Sequence, residues 1–470
     1  MTLDKIIEEF TEEYTERAPH ATKEEVKEVL KQAESILKSN KDKTPEEIIN
    51  IMIEECVEDL NAILESTRTP GILSELKVDN IDICLLGGKS NKDSLTKEAL
   101  FDIASITKLY TEVLAYKLIN EKAFSLKSKI EELDPRFSKV GNNLTVEDIL
   151  RFLVSFRTNG RIEDASTKEE AEERLFTIEV VQIGQKYDYN DMGLMIMKEV
   201  MERVTNKSFQ ELLEEYILRP YELKNTYLEV PGDKIHLVTG TPNQDGSVND
   251  LKANVLGGYS GHAGIRATSQ DLLDFTSHVM EDEKINQGLF IPNEYMNNRS
   301  NKMGNAYVNP KFFKKADGEI ISGKNRSYFG SLAPIDSLAS QGSTRVIARG
   351  EKARKTIITS TALSNIASLS DEETLELIAK KNEEILKKDP NAKVLNPSDL
   401  IKVRVWNQQE YKMHDPRRIM NEDQTLGSIL YKYDNKIILK LLLLNKILKE
   451  QEHYDKDIYI ERDITKERSH

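Results

Sequence analysis

At Pro70-Gly71 the chain changes periodicity, and no other feature restricts its possible folds as much. Residues 2 to 66 read as helices with short breaks. Thr22 with Glu25, and Thr44 with Pro45 and Glu47, have the spacing of capping boxes, in which two residues satisfy each other's backbone N–H groups. In the third helix Ile48, Ile49, Met52, Ile53, Cys56, Val57, Leu60 and Leu64 recur every three or four residues, the pattern of one apolar stripe facing a core. Past Gly71, Ile72 to Val78 and Ile81 to Leu86 are strand-forming runs around Asp79-Asn80, closed by Gly87-Gly88, and predict a hairpin. Helical periodicity then runs from Ser105 to about Leu223, with caps expected at Thr145 against Asp148 and at Ser166 against Glu169. Strand-like segments return at Thr344 to Ala348 and Thr356 to Ser360. A hairpin, a long helical insert and returning strands predict an α+β layered fold with a helical subdomain and a cleft between the two.

The expected division is a helical N-terminal extension over 1–66, a central domain over 67–370 with its helical subdomain at about 109–340, and a C-terminal extension over 371–470. That extension is helix-like from Asp371 to Lys388 and is a candidate to complete the sheet and a flanking helix. Leu426 to Glu450 admits either a strand pair broken at Asp434-Asn435 or one helix.

A chain of 470 residues, 39% hydrophobic, can bury a sizeable core. Its net charge of −14, without a basic cluster interleaved with aromatics, argues against a nucleic-acid partner. Residues 1 to 70 hold 18 acidic against 9 basic side chains, which reads as a solvated face. Neither a basic leader nor an apolar core of a secretory signal opens the sequence. The most apolar run, Ile437 to Leu444, is broken by Lys440 and far short of a membrane span. With two cysteines, Cys56 and Cys84, no disulfide framework is expected, and cytoplasmic residence is the economical reading. No membrane partner is expected.

Chemistry first shows at Phe101-Asp102-Ile103-Ala104-Ser105-Ile106-Thr107-Lys108. On a helix, positions i and i+3 share a face, so the Lys108 ammonium can reach the Ser105 hydroxyl. Serine needs such a partner to become a nucleophile near neutral pH. The tetrapeptide alone is more often a capping serine and a solvated lysine.

Further along stand Tyr187-Asp188-Tyr189-Asn190-Asp191-Met192-Gly193-Leu194 and Leu256-Gly257-Gly258-Tyr259-Ser260-Gly261-His262-Ala263-Gly264. With Thr69-Pro70-Gly71, Leu144 to Leu150 and Asp271 to Phe275, these segments resemble, in the same order, the serine β-lactamase and penicillin-binding-protein superfamily. The branch is that of class C β-lactamases, D-aminopeptidases and β-lactamase-like carboxylesterases. The similarity covers roughly residues 69 to 366. It implies a β-lactamase-like fold, with an antiparallel sheet flanked by helices, a helical subdomain and here an N-terminal helical extension.

The resemblance also implies roles. Ser105 is the acylated nucleophile and Lys108 helps deprotonate it; burial in a cleft would lower the pKa of the lysine and let it accept a proton. Tyr189, preferred over its register competitor Tyr187, relays a proton to the leaving group. Asp191 stands where asparagine is commoner and, ionised, accepts but does not donate hydrogen bonds. The third element of the family, K-x-G or H-x-G, falls on Ser340-Gln341-Gly342-Ser343. Ser340 then replaces a cation, Gly342 lets substrate approach, and the N–H groups of Ser105 and Ser343 form an oxyanion hole. His262 is a weaker candidate base, in a turn where glycines serve backbone geometry. Phe156 stands where relatives often carry histidine and makes the cleft wall more apolar. No H-E-x-x-H or paired C-x-x-C spacing occurs, so no metal and no cofactor is expected.

The expected activity is that of an intracellular serine hydrolase acting on small esters or amides through an acyl-enzyme. D-amino-acid peptidase or carboxypeptidase-like activity, and a catalytically impaired binding or scaffold protein, are the alternatives. The expected partner is a small ester, amide or peptide substrate. The sequence leaves open whether the N-terminal helices cover the cleft, dock a partner or mediate self-association.

Overall fold

The computed structural model describes residues 23–67, 71–78, 81–90, 93–141, 143–184, 188–239, 246–248, 250–282, 284–285, 326–329, 343–350, 357–363, 371–392, 394, 401–406, 409–414, 437, 440 and 457–465. Helices α1 (Lys23–Ser39) and α2 (Pro45–Thr67) come first. The capping box of α2 is closed: the Thr44 N–H donates to Glu47 Oε2 at 2.8 Å and the Glu47 N–H to Thr44 Oγ1 at 3.3 Å. The other expected box falls on Thr22, outside the described residues.

Strands β1 (Gly71–Val78) and β2 (Ile81–Ser90) pair as the expected antiparallel hairpin. Strand β3 (Leu100–Asp102) leads through a single 3-10 turn, Ala104–Ile106, into α3 (Thr107–Asn120). The helical subdomain continues with α4 (Val146–Leu150), whose Thr145–Asp148 capping box forms as expected. Within the stretch expected to be dominated by helix stands an antiparallel pair, β4 (Val154–Arg157) and β5 (Glu179–Ile183), with α5 (Lys168–Phe176) between them. Strands this short, separated by a helix, leave no local hairpin signal. The cap of α5 is Thr167, which accepts from the Glu170 N–H at 3.2 Å, one residue beyond the expected Ser166. Helices α6 (Met192–Thr205), α7 (Leu251–Val255) and α8 (Ser269–Glu281) follow. Beyond them lie β6 (Arg326–Phe329), β7 (Ser343–Gly350), β8 (Ile357–Leu363), α9 (Asp371–Lys388), a separate hairpin of Ile401–Trp406 with Gln409–His414, and β9 (Ile458–Asp463). Of Leu426 to Glu450, only Ile437 and Lys440 are described, both helical.

The main sheet runs β6-β7-β8-β1-β2-β9. Its neighbours are antiparallel except β9, which joins β2 in parallel. The expected antiparallel sheet flanked by helices is present, with one parallel strand added at its edge, which a crossover from β8 to β9 allows. Ser74 and Arg462 both neighbour Leu85 across the strands, so they share a face. Arg462 pairs with Glu54 of α2 at 2.8 Å, whereas Lys77, an odd step from Ser74, pairs with Asp274 of α8. Helices α2 and α8 therefore cover opposite faces. The stripe on α2 is buried from Ile48 to Leu60. Its acidic side is not wholly solvated, because Glu54 and Glu55 meet Arg462 and Lys440.

The largest core lies in the helical subdomain, where Leu109, Val113, Leu194, Met197, Phe209 and Phe275 are fully buried. Tyr110 stacks on Phe275 with ring centroids 3.7 Å apart, fixing α3 against α8.

Candidate active site

Ser105 sits where β3 turns into α3, between sheet and helical subdomain. The preceding Ala104 has φ +46, a left-handed conformation costly for a residue with a Cβ. Asp102 Oδ1 holds it there by accepting the Ala104 N–H at 2.8 Å. The chain beyond Ser105 enters α3, and one turn on Lys108 Nζ donates to Ser105 Oγ at 2.8 Å.

Lys108 is fully buried, and an ammonium without water needs partners. Asp191 Oδ1 lies 2.8 Å from its Nζ, and the His262 carbonyl oxygen accepts from it at 3.4 Å. The Tyr189 ring lies under it with the centroid 4.9 Å away, stacked on Phe152. Burial pushes the proton affinity of Lys108 down, but the Asp191 carboxylate and then Tyr189 overcome it, and its pKa is held above the ordinary lysine value. This corrects the expectation that desolvation would make Lys108 a neutral base, because Asp191 stands where a neutral amide was the commoner choice. Burial likewise pushes Asp191 toward its neutral form, yet Lys108, His262 and Lys252 hold it well below the usual carboxylate range.

Asp191 is free to do this because its neighbour takes its natural work. At the N-terminus of α6 the side chain of Asp191 makes no cap. Asn190 Oδ1 accepts the Gly193 N–H at 3.0 Å instead, while Asn190 Nδ2 donates to the carbonyls of Val154 and Asp188. Phe156, on β4, is half-buried against the subdomain core.

The Gly261-His262-Ala263-Gly264 loop packs against α3 at Thr107, Lys108 and Thr111. Thr111 Oγ1 donates to the Gly261 carbonyl at 2.5 Å, and Thr107 Oγ1 accepts the Ile265 N–H at 3.3 Å. Gly261 has φ +81, and a Cβ there would lie 2.4 Å from the Leu194 carbonyl oxygen, so only glycine fits. The His262 ring is buried and tied at both nitrogens, to Ser260 Oγ and to Asp250 Oδ1, each at 2.9 Å. Both ring nitrogens are thus engaged by partners other than Ser105 Oγ, while its carbonyl touches Lys108. Lys252, which no motif marked, reaches Asp191 Oδ2 at 3.2 Å.

Ser105, Lys108, Tyr189 and Asp191 are thus brought together. Ser343 is the first residue of β7, and β7 lies against the Ala104–Ile106 turn. Ser340, Gly342 and Tyr187 fall outside the described residues.

The fold and parts of the sequence have counterparts among known proteins. A class C beta-lactamase structure superposes with a TM-score of 0.50 at 14% identity, covering 69% of this chain and 95% of that one. An octameric penicillin-binding protein homologue from Pyrococcus abyssi superposes with a TM-score of 0.51 at 19% identity, covering 72% and 82%. Among curated proteins, an N-acetylmuramyl-L-alanine amidase of Bacillus subtilis (strain 168) is 26% identical over an alignment of 211 residues that covers 37% of this chain. The match spans about half of that relative's length, 48%. The sequence model of the Beta-lactamase family matches residues 84–318, half of the 470. With that match running through the Ser105 turn, Lys108, Tyr189, Asp191 and the glycine-rich loop, the chain belongs to the beta-lactamase family.

Proposed function

We propose that this protein is a serine hydrolase that forms an acyl-enzyme on Ser105 and cleaves small esters or amides. The observation that carries the reading is the 2.8 Å contact between Ser105 Oγ and the fully buried Lys108 Nζ, built on a strained strand-to-helix turn. Because Lys108 donates to Ser105 Oγ, the hydroxyl proton of the serine is left to point elsewhere. In the proposed step Ser105 Oγ bonds to the substrate carbonyl carbon. The serine proton passes to the phenol oxygen of Tyr189 as Tyr189 gives its own proton to the departing alcohol or amine. The oxyanion is met by the N–H groups of Ser105 and Ser343, and water reverses the sequence to release the acid. The curated relative named as an amidase adds weight to an amide substrate.

The Lys108–Asp191 pair favours a second reading, a relative that keeps the cleft and has lost turnover, because an ammonium cannot accept the serine proton. Intact-mass labelling separates the two. A fluorophosphonate is expected to add once to the wild-type protein and not to Ser105→Ala. A folded wild type that takes neither this probe nor a labelled penicillin would sink the hydrolase reading, and an adduct persisting in Ser105→Ala would sink the assignment of the nucleophile.

A further inference from the structure

Asp191 stands between two ammonium groups. One carboxylate oxygen lies 2.8 Å from Lys108 Nζ and the other 3.2 Å from Lys252 Nζ. Lys252 comes from α7, an element separate from the β3–α3 turn and from the segment that carries Tyr189 and Asp191. Its position is set by its own helix: Asp250 caps α7 by accepting the Ala253 N–H at 2.9 Å, and the same Asp250 Oδ1 holds the His262 ring. Since the His262 carbonyl accepts from Lys108, α7 reaches Lys108 by two routes, through Asp191 and through the glycine-rich loop.

We infer that Lys252 is a positioning residue for the acylating pair, holding Asp191 Oδ2 so that Lys108 shares that carboxylate instead of having it alone. This deepens the hydrolase reading and rests on it for its catalytic meaning. The titratable and charged groups around it are Lys108 from α3, Tyr189 and Asp191 ahead of α6, Asp250 and Lys252 at α7, and His262 from the loop. Glu163 lies 4.0 Å from Lys252 and is itself paired with Arg161. Lys108 is fully buried and the Asp191 and Lys252 side chains are 23% and 24% exposed, so removing one cation from a carboxylate with two strengthens its hold on the other. Without Lys252, Asp191 turns its full charge on Lys108, and the positive field at Ser105 Oγ falls.

The experiment compares Lys252→Met and Lys252→Arg with the parent at two levels. Fluorophosphonate labelling of Ser105 followed against pH should be slowed about tenfold at pH 7 by Lys252→Met, with the half-maximal pH raised by about one unit, and largely restored by Lys252→Arg. The second level needs no hydrolase activity. In a Ser105→Cys background, iodoacetamide alkylation of the introduced thiol, read at peptide level, reports the field that Lys108 imposes, and Lys252→Met should move its pH midpoint up by a similar amount. Cys56 and Cys84 are buried and do not interfere. A thiol midpoint unchanged by Lys252→Met, whatever the loss in Tm, overturns the inference and reduces Lys252 to a packing role. A shifted thiol midpoint in a protein whose wild type takes neither fluorophosphonate nor labelled penicillin upholds it and overturns the hydrolase reading instead.

Discussion

A carboxylate in place of an amide at position 191 changes what Lys108 can do. Asp191→Asn removes the charge that holds the lysine proton and leaves the downward push of burial. The half-maximal pH of Ser105 labelling is therefore expected to fall by about one unit or more. A profile that stays in place would show that Asp191 does not govern the lysine. Thermal unfolding should also come earlier, since two ammonium groups would face a neutral side chain. Ser105 with Lys108 was legible in the sequence because one helical turn brings them together, and Tyr189 with Asp191 because they share one short motif. Lys252 was not legible as a neighbour of this site, and His262 stood out only as a candidate base, not as the carbonyl partner of Lys108. They touch Asp191 and Lys108 across 61 and 154 residues of sequence, and no local spacing encodes such a contact.

At the scale of elements, the loop behind α3 and the strand under α8 lend themselves to measurement. Gly261→Ala places a Cβ 2.4 Å from a backbone oxygen at a left-handed φ. It is expected to cost roughly 3 kcal/mol in denaturant unfolding and to slow Ser105 labelling with it; a stability within error of wild type would mean that the loop yields freely. On β1, Glu75 is buried near Ser269, and burial, followed in effect by the nearby Asp274 and Asp82 charges, raises its pKa to about 7. Protonation of Glu75 is thus favoured by folding. Its contribution is complete below about pH 4.5, the ordinary carboxyl value, and is lost as pH rises through about 7. Glu75→Gln should flatten that dependence, removing about 3 kcal/mol of stability change between pH 4 and pH 8. Equal slopes in the two proteins would exclude the assignment. Hairpin β1–β2, the returning strands β7 and β8 and the cap at Thr145 were readable because each is written in consecutive residues. The β4–β5 pair and parallel β9 were not, since their partners lie beyond a helix or at the other end of the chain.

For the whole molecule, the first layer of helix and the last strand are joined. Arg462 on β9 meets Glu54 on α2, and Lys440 meets Glu55, both at close range. Arg462→Met should lower stability by about 1–2 kcal/mol by taking the guanidinium away from half-buried Glu54, measured in denaturant. If the loss is no larger than at an exposed pair such as Arg157 with Glu179, the contact does not fasten β9. Among the described residues no helix is long and apolar enough to cross a membrane. The order of the main sheet has a consequence for synthesis. β1 pairs with β8 and β2 with β9, so Ile72 waits for Leu363 and Ile81 for Ile458. While the ribosome makes the intervening chain, both edges of the N-terminal hairpin stay open to stray strands. Until Leu363 and Ile458 have been made, the hairpin is therefore the segment most open to mispairing, a consequence of sheet order and not of its own sequence.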